Sequence, residues 1–374
     1  MSLNTRRHLL RSSRTLLGAG AAALAVNPSY ANTSFAAADL QRAHTLLLSR
    51  PCIDAHAHPG RSFMVGMQLD SELSKVIQPG GFEAERISGM TQSGVDSVLA
   101  AIVADVQVLG FSGEGIVSVR DFAEGEAFTD FQRQLAHFTT VFSETPVSQA
   151  FTVQDILDAH INRVPSFMLA SEGGDFIEDK LDRLAFAYEH GIRSITPLHY
   201  RVNGFGDIQT AAPVHNGLTA LGRRVIREMN HLGILIDVSH ASEATVNGIL
   251  DTSSKPVMLS HSHIAGKIQS ARFVSLSLAQ RVTQNGGVIG AWPAGIGATT
   301  LTDFVDRIIE LVDTVGSAHV AIGTDMDANY RPVLTQYSDF IALTAGLIAK
   351  GITETDIAAI LGGNMIRILE QNQA

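Results

Sequence analysis

Cysteine is nearly absent from this chain. Cys52 is the single cysteine among 374 residues, so no disulfide can form within the chain. Charged residues make up only 17% of the sequence, and no basic cluster occurs outside the N-terminus. The formal net charge is -10. An acidic chain without a basic patch argues against nucleic acids and anionic membranes as partners.

Apolar residues are plentiful, at 45% of the sequence. A chain of this length can bury a large core, and a barrel of this size can form one domain. No internal repeat is visible. We therefore expect residues 32–374 to form a single barrel domain.

The first 31 residues are predicted to be an export signal. Residues 5–11 contain Arg6 and Arg7 and resemble the twin-arginine signal of bacteria, and an apolar stretch follows at 16–26. That stretch is too short to span a bilayer as a mature helix. Ser29-Tyr30-Ala31 offers a small-x-small cleavage site, and residues 34–36 offer a second one. We expect a periplasmic or secreted protein that is exported already folded.

Two histidines in alternation form the motif from which the functional interpretation starts. Ile53 leads into Asp54, His56 and His58. On an extended strand, residues i and i+2 point to the same side, so both imidazoles can reach one metal ion. A lone His-x-His pair also occurs in polar loops, so its meaning depends on partners elsewhere in the chain.

Candidate partners follow later strands. Eight short apolar segments alternate for the most part with helical patterns, which predicts parallel strands joined by crossover helices. Eight such units close into a TIM-like (β/α)8 barrel, whose chemistry lies at the C-terminal ends of the strands. An open doubly wound sheet is the alternative, but no glycine-rich phosphate loop follows the first strand. The residues at or after the predicted strand ends are His56, His58, Glu172, His199, His240, His261 and Asp325.

From Ile53 to the C-terminus, the chain resembles the membrane dipeptidase (renal dipeptidase) family of zinc peptidases within the amidohydrolase superfamily. The motifs that carry the resemblance occur in the family's order. They include Ile53-Asp54-Ala55-His56, Glu172-Gly173-Gly174, Leu198-His199, Asp237-Val238-Ser239-His240, Ser260-His261-Ser262 and Gly323-Thr324-Asp325-Met326-Asp327.

The resemblance implies a binuclear zinc site at the C-terminal ends of the strands. His56 and His58 would bind the first zinc, Glu172 would bridge both ions, and His240 and His261 would bind the second. A carboxylate can bridge two cations that lie about 3.5–4 Å apart, and a water shared between them loses a proton readily.

The resemblance also implies three roles in the hydrolysis of a dipeptide. Asp325 would hold the shared water and accept its proton as the general base, so that the resulting hydroxide attacks the peptide carbonyl. His199 would bind the substrate and stabilise the oxyanion. Arg272 would pair with the free C-terminal carboxylate, because a guanidinium binds a carboxylate bidentately.

Three positions depart from the family pattern. His58 stands where the family usually has aspartate, Phe273 where it has asparagine, and Ala328 where it has glycine. These departures leave the accepted side chains open.

Other interpretations also remain. The chain could be an amidohydrolase for a cyclic amide, a lactone or an N-acyl amino acid, or a zinc-binding protein without catalysis. His240 and His261 could be core histidines, Trp292 could be a pocket wall or core, and Asp54 is expected to be an anchor rather than a ligand. A small-molecule dipeptide is the expected partner, and the sequence does not decide between a monomer and a homodimer.

Overall fold

Eight parallel strands form the centre of the molecule. The computed structural model describes residues 35–67, 77–112 and 115–374, so the predicted signal at 1–31 lies outside the described residues. The strands are hydrogen-bonded in the order β8-β7-β6-β2-β1-β11-β10-β9. Their bounds are β1 Ile53–Ala57, β2 Ser97–Val103, β6 Ser166–Glu172, β7 Ile192–Thr196, β8 Leu235–Ile236, β9 Met258–Ser262, β10 Val288–Ala291 and β11 Val320–Ile322.

The two ends of this sheet meet, so the strands form a barrel. Asp237, directly after β8, forms a parallel bridge with Met258 at the start of β9. The backbone N–H of Val238 donates to the Met258 carbonyl at 2.7 Å. The predicted (β/α)8 barrel is confirmed.

Helices separate the strands, as parallel connections require. Many begin at the capping residues that the sequence offers, such as the capping boxes of Thr152 with Asp155 and Thr300 with Asp303. The helices are α1 Ala37–Ser49, α2 Glu83–Ser93, α3 Glu126–Glu144, α4 Val153–Asn162, α5 Asp182–Glu189, α6 Ala220–Leu232, α7 Glu243–Leu250, α8 Leu276–Gln284, α9 Leu301–Val315, α10 Asp339–Ala349, α11 Glu354–Ala358 and α12 Asn364–Gln373.

Two local features differ from the pattern-based expectation. The helical pattern of residues 176–190 predicts one continuous helix, but α5 begins only at Asp182, because residues 175–177 form a separate 3-10 turn. The antiparallel hairpin of β3 (Leu109–Ser112) and β4 (Gly115–Ser118) was not predicted. A short strand, β5 Ser148–Gln149, also pairs with β6 outside the ring of eight.

Close packing between neighbouring strands positions two of the residues that the sequence singles out, His261 and Asp325. A Cβ atom on Gly290 would lie 1.7 Å from the Ser260 carbonyl oxygen, and one on Gly323 would lie 1.8 Å from the same atom. Only glycine fits at both positions, so β10 and β11 approach Ser260 closely. The neighbouring residue His261 and the loop that carries Asp325 are thereby brought to the same end of the barrel. Among the described helices, none combines the length and apolarity that crossing a bilayer would require.

Candidate metal centre and substrate pocket

All the predicted site residues lie at the C-terminal end of the barrel. His56 and His261 lie within β1 and β9, Glu172 ends β6, and the others follow strands β1, β7, β8 and β11 or, for Arg272, the loop after β9. Each side chain is buried, and Asp325, at 8% exposure, is the most accessible. The structure therefore brings together a set of residues that spans most of the sequence.

The carboxylate of Glu172 is the centre of this set, because each of its oxygens faces imidazole nitrogens. Oxygen Oε1 lies 3.4 Å from His56 Nε2, 2.9 Å from His240 Nε2 and 3.5 Å from His261 Nε2, while Oε2 lies 3.2 Å from both His58 Nε2 and His199 Nε2.

Two sets of donor atoms that could each hold a metal ion share this carboxylate. One set is His56, His58 and Glu172, and the other is Glu172, His240 and His261, with the ligand atoms of each set within 4.8 Å of one another. Together they comprise the five predicted ligands. A third set combines His56, Asp237 and His261. Asp237 was not predicted, and its oxygens already accept four hydrogen bonds, from the Thr196 and Ser260 hydroxyls and the backbone N–H groups of Ser239 and Ser260.

The contacts of His58 favour a positive charge at this site. Its Nδ1 lies 3.1 Å from the Ala101 carbonyl, which can only accept, so Nδ1 carries the proton. Its Nε2 then faces the Glu172 carboxylate and Asp325 Oδ1, the latter at 3.5 Å. Burial lowers the pKa of His58, but Asp325 and Glu172 outweigh this and raise it to about 10. A lone pair aimed at two carboxylates requires a cation there, either a proton or a metal ion.

His261 is held with its coordinating nitrogen free. The Ser260 hydroxyl donates to Asp237 Oδ2 at 2.5 Å, so Ser260 accepts from His261 Nδ1 at 2.8 Å. The Nε2 lone pair is thereby directed at Glu172. Burial and the charges of His56 and Arg272 hold the pKa of His261 well below its ordinary value. A neutral imidazole in a fixed tautomer is what a metal ion needs as a ligand.

His240 is neutral, whereas Glu172 is ionised. Burial and the charges of Arg272 and His199 hold the pKa of His240 well below its ordinary value, so this imidazole is neutral. Burial raises the pKa of Glu172, but the charges of His199 and His56 and the contact with His240 outweigh burial, and the pKa stays well below its usual range. Imidazole nitrogens around an ionised carboxylate form a donor set that fits a divalent metal.

His199 differs from the other imidazoles because a second carboxylate lies behind it. Asp105 Oδ1 accepts from His199 Nδ1 at 2.7 Å, and Asp105 Oδ2 accepts from the Tyr200 backbone N–H at 3.1 Å. Burial lowers the pKa of His199, but Asp105 and Glu172 outweigh it and raise the pKa. Asp105 was not singled out from the sequence, since it lies beyond β2 in a segment without a recognisable motif. It holds His199 as a proton donor whose Nε2 faces the site.

Arg272 carries buried donors without partners. Its Nη1 lies 2.5 Å from Nδ1 of His240, and the side chain is 6% exposed. Within the described part of the chain, neither Nε nor Nη2 has a hydrogen-bond partner. These two atoms form one edge of the guanidinium fork, the geometry that receives both oxygens of a carboxylate.

Trp292 is a wall of the pocket, one of the two alternatives predicted for it. Its indole N–H donates to Asp325 Oδ2 at 3.2 Å, and the Arg272 guanidinium lies 5.1 Å from its ring centroid. His263, which was not predicted as a site residue, contacts the Trp292 carbonyl through Nε2 at 2.8 Å. Trp292 thus holds the Asp325 carboxylate by a hydrogen bond and also packs beside the Arg272 guanidinium.

Backbone conformation also distinguishes the site. His240 and Asp325 adopt positive φ angles of 66° and 51°, which non-glycine residues rarely adopt. Asp327, at φ 73°, accepts from the Gly60 backbone N–H at 2.8 Å and from Arg86 Nε at 2.9 Å. The loop after β11 is therefore tied to the loop after β1.

Asp54 lies where an anchor is expected. Its oxygens accept from the Thr324 backbone N–H at 2.9 Å, the Thr324 hydroxyl at 2.5 Å and the Tyr337 hydroxyl at 3.2 Å. These bonds join β1 to the segment that carries Asp325. Of the residues that depart from the family pattern, Ala328 lines the pocket, whereas Phe273 packs behind it against His263, with ring centroids 5.5 Å apart.

The pocket above Glu172 has one polar side and one apolar side. The polar lining comprises Glu172, His199, Tyr200, His240, Arg272 and Asp325, joined by Trp292 and Ala328. The remaining lining side chains are aliphatic or aromatic: Phe63, Ile77, Val103, Val106, Leu109 and Ile116.

Comparisons with known proteins agree with this geometry. Residues 40–374 match the family model of membrane dipeptidase, peptidase family M19. The chain is 30% identical to dipeptidase tcpJ of Claviceps purpurea over 54% of its own length and 50% of the relative's. It is 29% identical to dipeptidase 3 of Mus musculus, over 54% and 44% of the two chains. The chain thus spans about half the length of these curated relatives.

A solved structure shows the same fold. A metallopeptidase of Rhodobacter sphaeroides, bound to a phosphinate mimic of the dipeptide L-Ala-D-Ala, superposes with a TM-score of 0.72. The match covers 86% of this chain and 99% of that one, at 19% identity.

Replacing Glu172 tests the metal centre. Glu172→Ala is expected to lose most of the bound metal, because it removes the one carboxylate that both donor sets share. Elemental analysis of purified protein measures this, with the exposed carboxylate variant Glu189→Ala as the control. A Glu172→Ala protein with the full metal content of the wild type would refute a shared site.

Proposed function

The chain belongs to the membrane dipeptidase family, peptidase family M19, and we propose that it is a zinc-dependent dipeptidase that hydrolyses the peptide bond of free dipeptides. One observation carries the proposal. A buried guanidinium with two unpaired donors lies against a histidine of the Glu172 donor set, so a free carboxylate and a metal-activated amide can be bound side by side.

We propose two zinc ions per chain, held by His56, His58, Glu172, His240 and His261. Imidazole and carboxylate donors in these numbers suit zinc. Zinc bound there would acidify the water between the ions and polarise the scissile carbonyl.

Asp325 is positioned to accept the water's proton. Its Oδ2 is occupied by the Trp292 indole N–H, whereas Oδ1 faces His58 and the metal donors. Oδ1 is therefore the atom that takes the proton and later delivers it to the departing amine. The hydrogen bond from Trp292 keeps the carboxylate from rotating away.

His199 stabilises negative charge on the substrate. With Nδ1 bound to Asp105, its Nε2–H is directed into the pocket beside Glu172 Oε2. A protonated imidazole at this position donates a charge-assisted hydrogen bond to the oxygen of the tetrahedral intermediate. Asp105 acts through His199 by orienting its ring and by favouring its protonated form.

Arg272 orients the substrate. The Nε and Nη2 edge receives the C-terminal carboxylate, and the Trp292 ring beneath the guanidinium holds its plane. The scissile carbonyl, one residue away from this carboxylate, then lies above Glu172. This contact selects the peptide bond next to a free C-terminal carboxylate.

A second candidate is the hydrolysis of N-acyl amino acids. Among the described lining residues, the only carboxylates are Glu172 and Asp325, and both have other roles. No further acid in that part of the chain lines the pocket to pair with the ammonium group of a dipeptide. An N-acyl amino acid keeps the carboxylate and has no ammonium group, so the two substrate classes can be compared directly.

We also propose that the protein is exported by the twin-arginine route to the periplasm or beyond. The basis is the pair Arg6 and Arg7 ahead of an apolar stretch. Changing both to lysine is expected to retain the protein in the cytoplasm, as measured by cell fractionation with an unrelated Sec-exported protein as the control. Unchanged delivery of the double variant would contradict this route.

The role of Asp325 is tested by Asp325→Asn. This variant keeps the shape and removes the base, so turnover should fall by about 10²-fold or more. Metal content and melting temperature should remain near those of the wild type. The exposed α9 variant Asp313→Asn is the control. An active Asp325→Asn enzyme, or one that has lost its metal, would exclude the general-base role.

The role of Arg272 is tested through the charge of the substrate. Amidation of a dipeptide's C-terminus should lower kcat/KM by about ten- to a hundredfold, because a charge-assisted pair contributes about 1.5–3 kcal/mol. Arg272→Met should lower activity on the free dipeptide and abolish the preference over the amide. The exposed variant Arg224→Met should retain that preference. Equal wild-type rates on free dipeptides and their amides would argue for a different amidohydrolase.

A further inference from the structure

The apolar side of the pocket is built from separate parts of the chain. We refer to Phe63, Ile77, Val103, Val106, Leu109 and Ile116 as the apolar wall. The loop after β1, the end of β2 and the β3–β4 hairpin each contribute to it. Phe63, Val103 and Leu109 are nearly inaccessible to solvent, and Ile77 and Ile116 are half-buried at the rim.

The hairpin continues this wall toward solvent. Phe111 pairs with Ile116, and Leu109 with Ser118, in antiparallel register. Because alternate residues of a strand point to the same face, Leu109, Phe111 and Ile116 share one face of the hairpin. Phe111 is 44% exposed. The hairpin thus presents apolar surface at the mouth of the pocket as well as inside it.

The wall and Arg272 lie against different histidines of the metal centre. The Phe63 ring lies 5.3 Å from the His58 ring, whereas Arg272 Nη1 contacts His240. His58 faces Glu172 Oε2 and His240 faces Glu172 Oε1. A dipeptide whose carboxylate is bound by Arg272 and whose carbonyl lies over Glu172 therefore directs its N-terminal residue toward the apolar wall.

From this arrangement we infer, resting on the proposed function, that the preferred substrates are dipeptides whose N-terminal residue carries a large apolar side chain. The wall supplies no charged or hydrogen-bonding side chain. A leucine or phenylalanine side chain gains free energy there by leaving water. A lysine or aspartate side chain loses hydration there without gaining a partner on the apolar wall.

A panel of dipeptides with a constant C-terminal alanine tests the preference. The metal-loaded enzyme should cleave Leu-Ala and Phe-Ala with kcat/KM at least about tenfold above Lys-Ala and Asp-Ala, as burial of one such side chain predicts. Similar values across the panel would overturn this inference while leaving the dipeptidase assignment intact. Cleavage of N-acyl alanines but of no free dipeptide would overturn the dipeptidase assignment and this inference with it.

Neighbouring residues of β4 provide a matched pair of variants. Ile116 lines the pocket, whereas Val117 points to the opposite face of the same hairpin. Ile116→Asp should reduce kcat/KM for Leu-Ala by at least about tenfold and raise the Lys-Ala to Leu-Ala ratio, because a carboxylate now meets the substrate's side chain. Val117→Asp should leave that ratio unchanged. If Ile116→Asp fails to fold, Ile116→Thr should show a smaller loss on Leu-Ala in the same direction.

Binding can be measured separately from turnover. Trp292 is the single tryptophan of the sequence and lines the pocket, so its fluorescence reports on occupancy. The phosphinate mimic of Leu-Ala should bind to the wild type at least about tenfold more tightly than that of Lys-Ala. Ile116→Asp should remove this difference and Val117→Asp should keep it. Equal affinities of the wild type for both mimics would refute a role for the wall in selection.

Discussion

A carboxylate buried among five imidazoles is the constraint on which the rest of the structure depends. Glu172 is 3% exposed, and burying its charge is tolerable only because positive or polarisable groups surround it. Those groups come from four other strand ends, so the barrel must close correctly before the charge is compensated. A cation completes the arrangement, since several of the imidazole lone pairs converge on the same small space.

Carboxylates inside the barrel provide the supports for this centre. Asp54 and Asp237 each accept the backbone N–H of the residue two positions ahead, His56 at 3.3 Å and Ser239 at 3.0 Å. Each also accepts a hydrogen bond from a hydroxyl group on a neighbouring segment. Thr324 donates to Asp54, and Ser260 donates to Asp237. The same pair of contacts thus ties β1 to the segment after β11, and the segment after β8 to β9. These contacts fix the positions of the histidines that follow, His56 and His240.

The sequence allowed the barrel and most of the metal donors to be predicted, because both depend on local patterns. Alternation of apolar strands with helices is readable, and the spacing of His56 and His58 determines a shared side. Asp105 and Trp292 could not be assigned roles, since their contacts with His199 and Asp325 join segments far apart in the chain. The apolar wall was missed for the same reason. The positive φ of His240 could not be predicted either, because histidine as a residue type does not indicate this backbone conformation.

His58 changes the charge balance of the centre. The family resemblance leads one to expect an acid at this position, and a neutral imidazole contributes no negative charge. One negative charge fewer beside the donor sets would leave more positive potential near Arg272 for a substrate carboxylate. The same residue makes metal binding compete with a proton, because Glu172 and Asp325 raise its pKa to about 10 despite the opposing effect of burial. A metal ion bound by His58 would have to displace that proton, so its affinity would rise with pH. Histidine in place of the family's aspartate would therefore strengthen the attraction for an anionic substrate and make metal binding more dependent on pH.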